Sequence, residues 1–206
     1  MNTIRSIEQR DVERVSVALA RAFHHDPMMT HIVPNALARA KVLPWFLGKV
    51  VSYCIRFGEA HMSEDGMAAA CWIPPRGGAK SWLERAVAAG GLVMPFVMGF
   101  RAMKRVLAMD RYTRKQRQMH AREPHYYLNL LGVDPMARGR RLGRRLVEPI
   151  LAKVDAEQVP CYLETMNEAN VAVYESIGFQ LMSYGLIPES KVGVWTFKRF
   201  APASGC

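Results

Sequence analysis

Arg138, Gly139, Arg140, Arg141, Leu142 and Gly143 have the types and spacing to hold an anion. They follow the apolar run 126–133 and open an amphipathic pattern, Leu142, Leu146, Ile150, Leu151 and Val154, that reads as a helix. A strand, a glycine-containing turn and a helix start leave backbone N–H groups unpaired and pointing outward, where the helix dipole adds partial positive charge. Arginines at 138, 140, 141, 144 and 145 add full charges that suit phosphates. A solvated basic helix start would carry the same residues. What decides between the two is a second group farther along the chain: Leu163, Glu164, Thr165, Asn167, Asn170 and Tyr174.

The elements that must position these residues are legible in outline. Residues 3–7 suggest a strand and 11–23 a helix with Val12, Val15, Ala18, Leu19 and Ala22 on one face. Residues 24–34 read as a loop punctuated by Asp26-Pro27 and Pro34, and 36–57 as a helix kinked or broken at Pro44. Strands 59–63 and 67–73 flank Glu64-Asp65-Gly66, a hairpin signal. Residues 81–120 are mainly helical in composition and lie between strands that would otherwise be neighbours, so a helical insertion is expected at roughly 80–120. Strand 125–133, helix 142–158 bent at Pro149, strand 161–165, helix 170–177 and strands 179–187 and 192–200 complete the chain. The order of elements predicts an α/β fold of one domain over residues 1–206, a mixed sheet with helices on both faces.

Composition narrows the function classes. A 206-residue chain with 50% hydrophobic and 22% charged residues is expected to be globular and ordered. No basic start joined to an apolar segment and a cleavage site is read at the N-terminus. The longest uncharged stretch, 86–100, is shorter than a spanning helix and is interrupted by Gly90, Gly91, Pro95 and Gly99, so no membrane partner is expected. The net charge of +10 favours anionic ligands without separating a nucleotide cofactor from nucleic acid. Four cysteines without a Cys-x-x-Cys pair suit reduced thiols in the cytoplasm. No metal-ligand spacing appears, and no metal is expected; adjacent His24 and His25 would diverge on a regular element.

The ordered set Leu130-Leu131-Gly132-Val133-Asp134-Pro135, then Arg138 to Gly143, Leu163-Glu164-Thr165, and Asn170-x-x-x-Tyr174-Glu175-Ser176-Ile177-Gly178-Phe179 resembles the GNAT superfamily of N-acetyltransferases. The branch it looks most like is that of puromycin N-acetyltransferase and related small-molecule acetyltransferases. The grounds are Leu-Glu-Thr with a tyrosine ten residues on, Trp72-x-Pro74-Pro75, and the terminal Trp195-Thr-Phe-Lys-Arg. The resemblance implies a mostly antiparallel twisted sheet with splayed central strands, and acetyl-CoA as co-substrate. It implies that Leu131, Gly132 and Val133 pair with the pantetheine arm and that Arg138, Gly139, Arg140, Arg141, Leu142, Gly143 and Arg144 cradle the diphosphate. Asn170, with Asn167 as second choice, would lie near the cofactor. Tyr174 would be general acid toward the CoA sulfur, and Glu164 general base toward the acceptor ammonium, directly or through water. One position departs from the family pattern Gln/Arg-x-x-Gly-x-Gly/Ala, since Arg141 replaces its first glycine.

The resemblance places the acceptor pocket among the first helices and their loops, which singles out Phe23, His24, Asp26 and, at the hairpin end, Trp72. Met94, Met98, Met103, Met109, Phe96 and Phe100 would supply an adaptable apolar wall. The basic residues Arg101, Lys104, Arg105, Arg111, Arg114, Lys115 and Arg117 lack interleaved stacking aromatics and read as a solvated helix face. The expected function is therefore transfer of acetyl from acetyl-CoA to a primary amine of a small molecule, by direct attack in a ternary complex. Cys161, at the start of a buried strand, is not expected to carry the acetyl group. The alternatives are a peptide or protein N-acetyltransferase, or a non-catalytic CoA-binding or nucleic-acid-binding protein. A homodimer is compatible with the last strand and the uncharged segment 86–100.

Overall fold

Every strand of the central sheet but one pair runs antiparallel to its neighbours, and that exception creates the site. The computed structural model describes residues 3–78 and 90–201. Its strands are β1 (Ile4–Ser6), β2 (Glu59–Ser63), β3 (Ala68–Ile73), β4 (Tyr126–Val133), β5 (Cys161–Thr165), β6 (Gln180–Leu186) and β7 (Gly193–Arg199), in spatial order β1-β2-β3-β4-β5-β7-β6. The helices are α1 (Val12–Phe23), α2 (Pro27–Ile32), α3 (Ala36–Phe57), α4 (Met94–Met98), α5 (Phe100–His120), α6 (Leu142–Glu157) and α7 (Val171–Glu175). As expected, the architecture is a mixed, mostly antiparallel α/β sheet covered by helices.

β4 and β5 are parallel and pair only at Tyr126↔Cys161 and Tyr127↔Tyr162. Beyond these positions β4 continues along β3 and β5 along β7, so a wedge opens between them. A bulge contributes: the β3–β4 register shifts between Cys71 and Trp72 and leaves Asn129 unmatched. A bulge bends its strand and reverses which side chains face each way. Before it, Tyr126 and Leu128 join the core under α6; after it, Leu130 joins the opposite core, with α1 and α3, while Leu131 and Val133 turn toward α6.

Two cores therefore sandwich the sheet. Val15, Leu19, Leu43, Leu47 and Val51 of α1 and α3 pack on one face, and Leu142, Leu146, Ile150 and Val154 of α6 pack on the other with Trp72, Phe179 and Phe197. All three helices carry apolar residues at three- and four-residue spacing on the buried side.

The structure corrects the reading of the first loop and excludes a break at Pro44. Residues 24–34 are not a plain loop, because Asp26 and Pro27 start α2: the Met28 N–H donates to Asp26 Oδ1 at 2.9 Å, and proline sits in the first turn, where its missing N–H costs nothing. Pro44 does not end α3, and Pro149 does not end α6. The segment between β3 and β4 is helical over α4 and α5, interrupted at Gly99, whose φ of 86° suits glycine alone. Its earlier part, 79–89, lies outside the described residues.

Candidate active site

The anion loop is braced from below. Asp134, fully buried at the end of β4, accepts from the Met136 N–H at 2.9 Å and from Arg21 Nε at 2.6 Å, which fixes the strand-to-turn junction against α1. After a 3-10 turn at Pro135–Ala137, residues 138–141 form an exposed loop. Gly139 has φ 80°, and Arg141 has φ 55° and ψ 23°. Arg141 thus occupies a left-handed conformation, which explains why the family pattern favours glycine there. An L-residue adopts it at a cost of about 1 kcal/mol. Its side chain is exposed, so the added bulk lies in solvent.

The first hydrogen bond of α6 runs from the Arg145 N–H to the Arg141 carbonyl, and the Arg141 side chain does not cap the helix. The amides just before it have no partner within the helix, and its first turn holds no acidic residue. A Cβ added at Gly139 would meet nothing within 4 Å, so the loop has open space at its surface. The arginines divide. Arg140 reaches Asp65 of the β2–β3 turn at 2.8 Å and Arg144 reaches Glu148 at 2.8 Å, whereas Arg138 and Arg141 are exposed to solvent. Amides, dipole and uncommitted charge together fit a diphosphate.

The next contact surface is the inner edge of β4. The Asp134 N–H donates to the Met67 carbonyl at 2.8 Å, which sets the phase of the antiparallel ladder with β3. By alternation, Gly132 turns its N–H and C=O toward β3, while Leu131 and Val133 turn theirs into the wedge, where β5 has departed. Those amides suit the amide-rich arm of CoA. Gly132 serves packing instead: a Cβ there would lie 2.5 Å from Leu19 Cδ2 and 2.8 Å from Phe23 Cε2.

A cavity of about 270 Å³ lies at the mouth of the wedge. It brings together Phe23, Asp26, Leu131, Glu164, Asn170 and Tyr174, all singled out in the sequence. Glu164 is half-buried, and its Oε1 is fully buried with no hydrogen-bond partner among the described residues. Burial raises its pKa to about 7; nearby Arg117 and the Tyr127 and Tyr162 hydroxyls pull the other way. Such a carboxylate is poised to take a proton near neutrality. Tyr174 is buried, with its ring 5.7 Å from that of Phe197 and 6.1 Å from that of Phe179. Burial, reinforced by the charge of Asp26, raises its pKa, so the phenol stays protonated and can donate. Asp26 is itself raised by burial, against the Met28 and Met29 N–H groups that stabilise its anion. Asn170 Nδ2 donates to Thr165 Oγ1 at 3.2 Å.

Other candidates fall elsewhere. Asn167 lines a neighbouring cleft, and its Oδ1 accepts from the Ala169 N–H at 3.1 Å, which makes it a local cap. Trp72 is fully buried in the core under α6, and His24 stacks edge-on against His25; neither lines the cavity. Of the expected apolar wall, Met109 is in place, but Phe96 and Phe100 are 84% and 74% exposed. The wall comes instead from Phe46, Leu47 and Val50 of α3 and Val106 of α5. Asn129 was missed because only the bulge aims it inward. Nor is the basic helix a uniform solvated face. The Arg117 guanidinium lies 4.3 Å over the Tyr127 ring, and Arg105 Nη1 donates to the His31 and Ile32 carbonyls at 3.0 and 3.3 Å.

The family model for the acetyltransferase (GNAT) family matches residues 72–179, from β3 through the anion loop and β5 to Phe179. The chain belongs to the GNAT family of acetyltransferases. It is 25% identical over 183 residues to an uncharacterised N-acetyltransferase of Schizosaccharomyces pombe, covering 84% of this chain and 72% of that protein. Its fold is similar to that of a histone acetyltransferase HPA2 and related acetyltransferase from Corynebacterium glutamicum, with a TM-score of 0.68, 19% identity and 100% of each chain covered. It is also similar to a mosquito arylalkylamine N-acetyltransferase-like protein, with a TM-score of 0.61 and 16% identity, covering 97% of this chain and 100% of that one. As a GNAT enzyme the chain is an N-acetyltransferase that takes its acetyl group from acetyl-CoA. Among the described residues, no helix is long and apolar enough to cross a membrane.

Proposed function

We propose that the acceptor is the primary amine of a small molecule and that it attacks the thioester directly in a ternary complex. The observation that carries this reading is Glu164: a carboxyl group with one buried oxygen that finds no hydrogen-bond partner among the described residues and a pKa of about 7, lining the same half-open cavity as Tyr174. The amides of 139–144 and the charges of Arg138 and Arg141 would hold the diphosphate, and Leu131 and Val133 the pantetheine arm. Acetyl-CoA supplies the activated acetyl group. Glu164 takes the proton that the acceptor ammonium must lose, directly or through one water. An N–H of the open β4 edge donates to the acetyl oxygen as negative charge grows there, an effect worth about 3 kcal/mol in comparable sites. Tyr174 gives its proton to the departing sulfur and regains one from the attacking nitrogen as the amide forms, contributing roughly 10²–10⁴-fold.

Cys161 is fully buried and its thiol is pushed up to about 12, chiefly by burial, so almost no thiolate exists near neutrality. That supports direct transfer over an acyl-cysteine. The buried, unpaired Cys54, Cys71 and Cys161 suit a reducing compartment, and we place the enzyme in the cytoplasm. Within the family we favour the puromycin N-acetyltransferase-like branch, on the Trp72-x-Pro74-Pro75 and Trp195 motifs. The test is thiol release from acetyl-CoA across aminonucleosides, arylalkylamines, polyamines and peptides. Turnover of a small amine, lost in Glu164→Gln, supports the reading. A clear preference for peptides would assign the chain to protein N-acetylation instead.

A further inference from the structure

A second cleft opens beside the cavity, and the two share Met166, just beyond β5. Its floor is aromatic. Tyr184 of β6 and Trp195 of β7 are cross-strand partners whose ring centroids lie 4.7 Å apart at 43°. Gly193 permits this arrangement: a Cβ there would sit 2.8 Å from Tyr184 Cε2 and 3.1 Å from the Trp195 ring, so both rings fold over the bare start of β7. Tyr184 nonetheless stays 56% exposed, an aromatic surface that the chain builds and does not cover.

The rim is polar and carries excess positive charge. Arg105 reaches it from α5. The carbonyls of His31 and Ile32 that accept from its Nη1 fix the guanidinium in place without neutralising it. Lys191, in the turn between β6 and β7, lies on the same cleft, and Glu168 is the one carboxylate among its described lining residues. His31 lines it too, with its imidazole pKa lowered by burial and by Arg105, so it is present as a neutral hydrogen-bonding group.

We propose that this outer cleft is a recognition subsite for the far end of the acceptor, and that it takes a planar ring bearing an anionic group. The ring stacks on Tyr184 and Trp195, and the anion lies against Arg105 and Lys191. The amine-bearing end passes Met166 into the inner cavity toward Glu164. The inference rests on the small-amine reading above and specifies its substrate class.

The test compares 4-(ω-aminoalkyl)benzoates of two to five methylenes with the matching phenylalkylamines, which differ only by the distal carboxylate. Thiol release gives kcat/KM, and calorimetry on the protein gives Kd independently of turnover. At the best chain length the benzoate is preferred about tenfold in both, the size expected for a hydrogen bond to a charged partner. Lys191→Gln, an exposed turn position whose change the fold accommodates, shrinks that preference to about threefold or less. Equal values for the two series at every length in the wild-type protein would overturn the proposal, as would a preference left intact in Lys191→Gln. If no amine releases thiol, the acetyl-acceptor reading fails. The subsite then stands or falls on calorimetry alone, by the same two comparisons.

Discussion

Replacing Glu164 by glutamine makes a prediction in which stability and activity move in opposite directions. The carboxyl has an ordinary value of 4.5 in the unfolded chain and about 7 in the folded protein, because burial opposes its ionisation. Below pH 4.5 the group is protonated in both states and contributes no difference. Between pH 4.5 and 7 the unfolded chain releases the proton while the folded protein retains it, so ionisation increasingly favours the unfolded state. The cost grows by about 1.4 kcal/mol per pH unit and levels off above pH 7 at about 3 kcal/mol. Glutamine keeps the shape and never ionises. The variant is therefore expected to match the wild type near pH 4 and to exceed it by about 3 kcal/mol at pH 8, which is roughly 6–12 °C in Tm for a chain of this size. Urea unfolding of both proteins from pH 4 to 8 reads the difference directly, since every other titrating group cancels. A stability gap that stays constant with pH, or a variant less stable than wild type at pH 8, would refute the argument. In the wild type, kcat/KM falls about tenfold per pH unit below 7, as the base is lost to protonation.

Tyr174→Phe preserves the ring contacts with Phe179 and Phe197 and removes only the hydroxyl, so kcat should drop roughly 10²-fold or more with the fold intact; steady-state kinetics beside a thermal melt check this. Arg141→Gly relieves a left-handed arginine at some cost in unfolded-chain entropy, for a net gain of about 0.5–1 kcal/mol in urea unfolding and no rise in KM for acetyl-CoA. Gly132→Ala drives a methyl group into Leu19 and Phe23, and should destabilise by about 1–3 kcal/mol while loosening α1 over the cavity, measurable as a lower unfolding midpoint.

Local signals made much of the fold legible. Apolar periodicity located α1 and α6, and Asp65-Gly66 located the β2–β3 hairpin. The anion loop was equally readable, because glycines, a helix start and arginines sit within a few residues of one another. The misreadings share a physical origin. Asp26-Pro27 is ambiguous locally, since an aspartate before proline begins a turn and a helix equally well; packing of Met29 and Ile32 decides for the helix. Trp72 looked like a pocket residue by position, but strand parity sends it under α6. Phe96 and Phe100 are apolar yet turn outward, and hydrophobicity alone does not say which way a short helix faces. Asn129 and the inward turn of Tyr127 depend on a bulge that exists only once β3 and β4 are paired. The pKa of Glu164 likewise arises from burial among residues far apart in the chain.

The central claim is that amine and acetyl-CoA occupy the wedge together and react without a covalent enzyme intermediate. Initial velocities measured over a grid of both substrate concentrations test it most directly. Double-reciprocal lines that intersect, with Glu164→Gln depressing kcat at pH 8, are the predicted result. Parallel lines, accompanied by an acetylated enzyme trapped in the absence of amine, would contradict it.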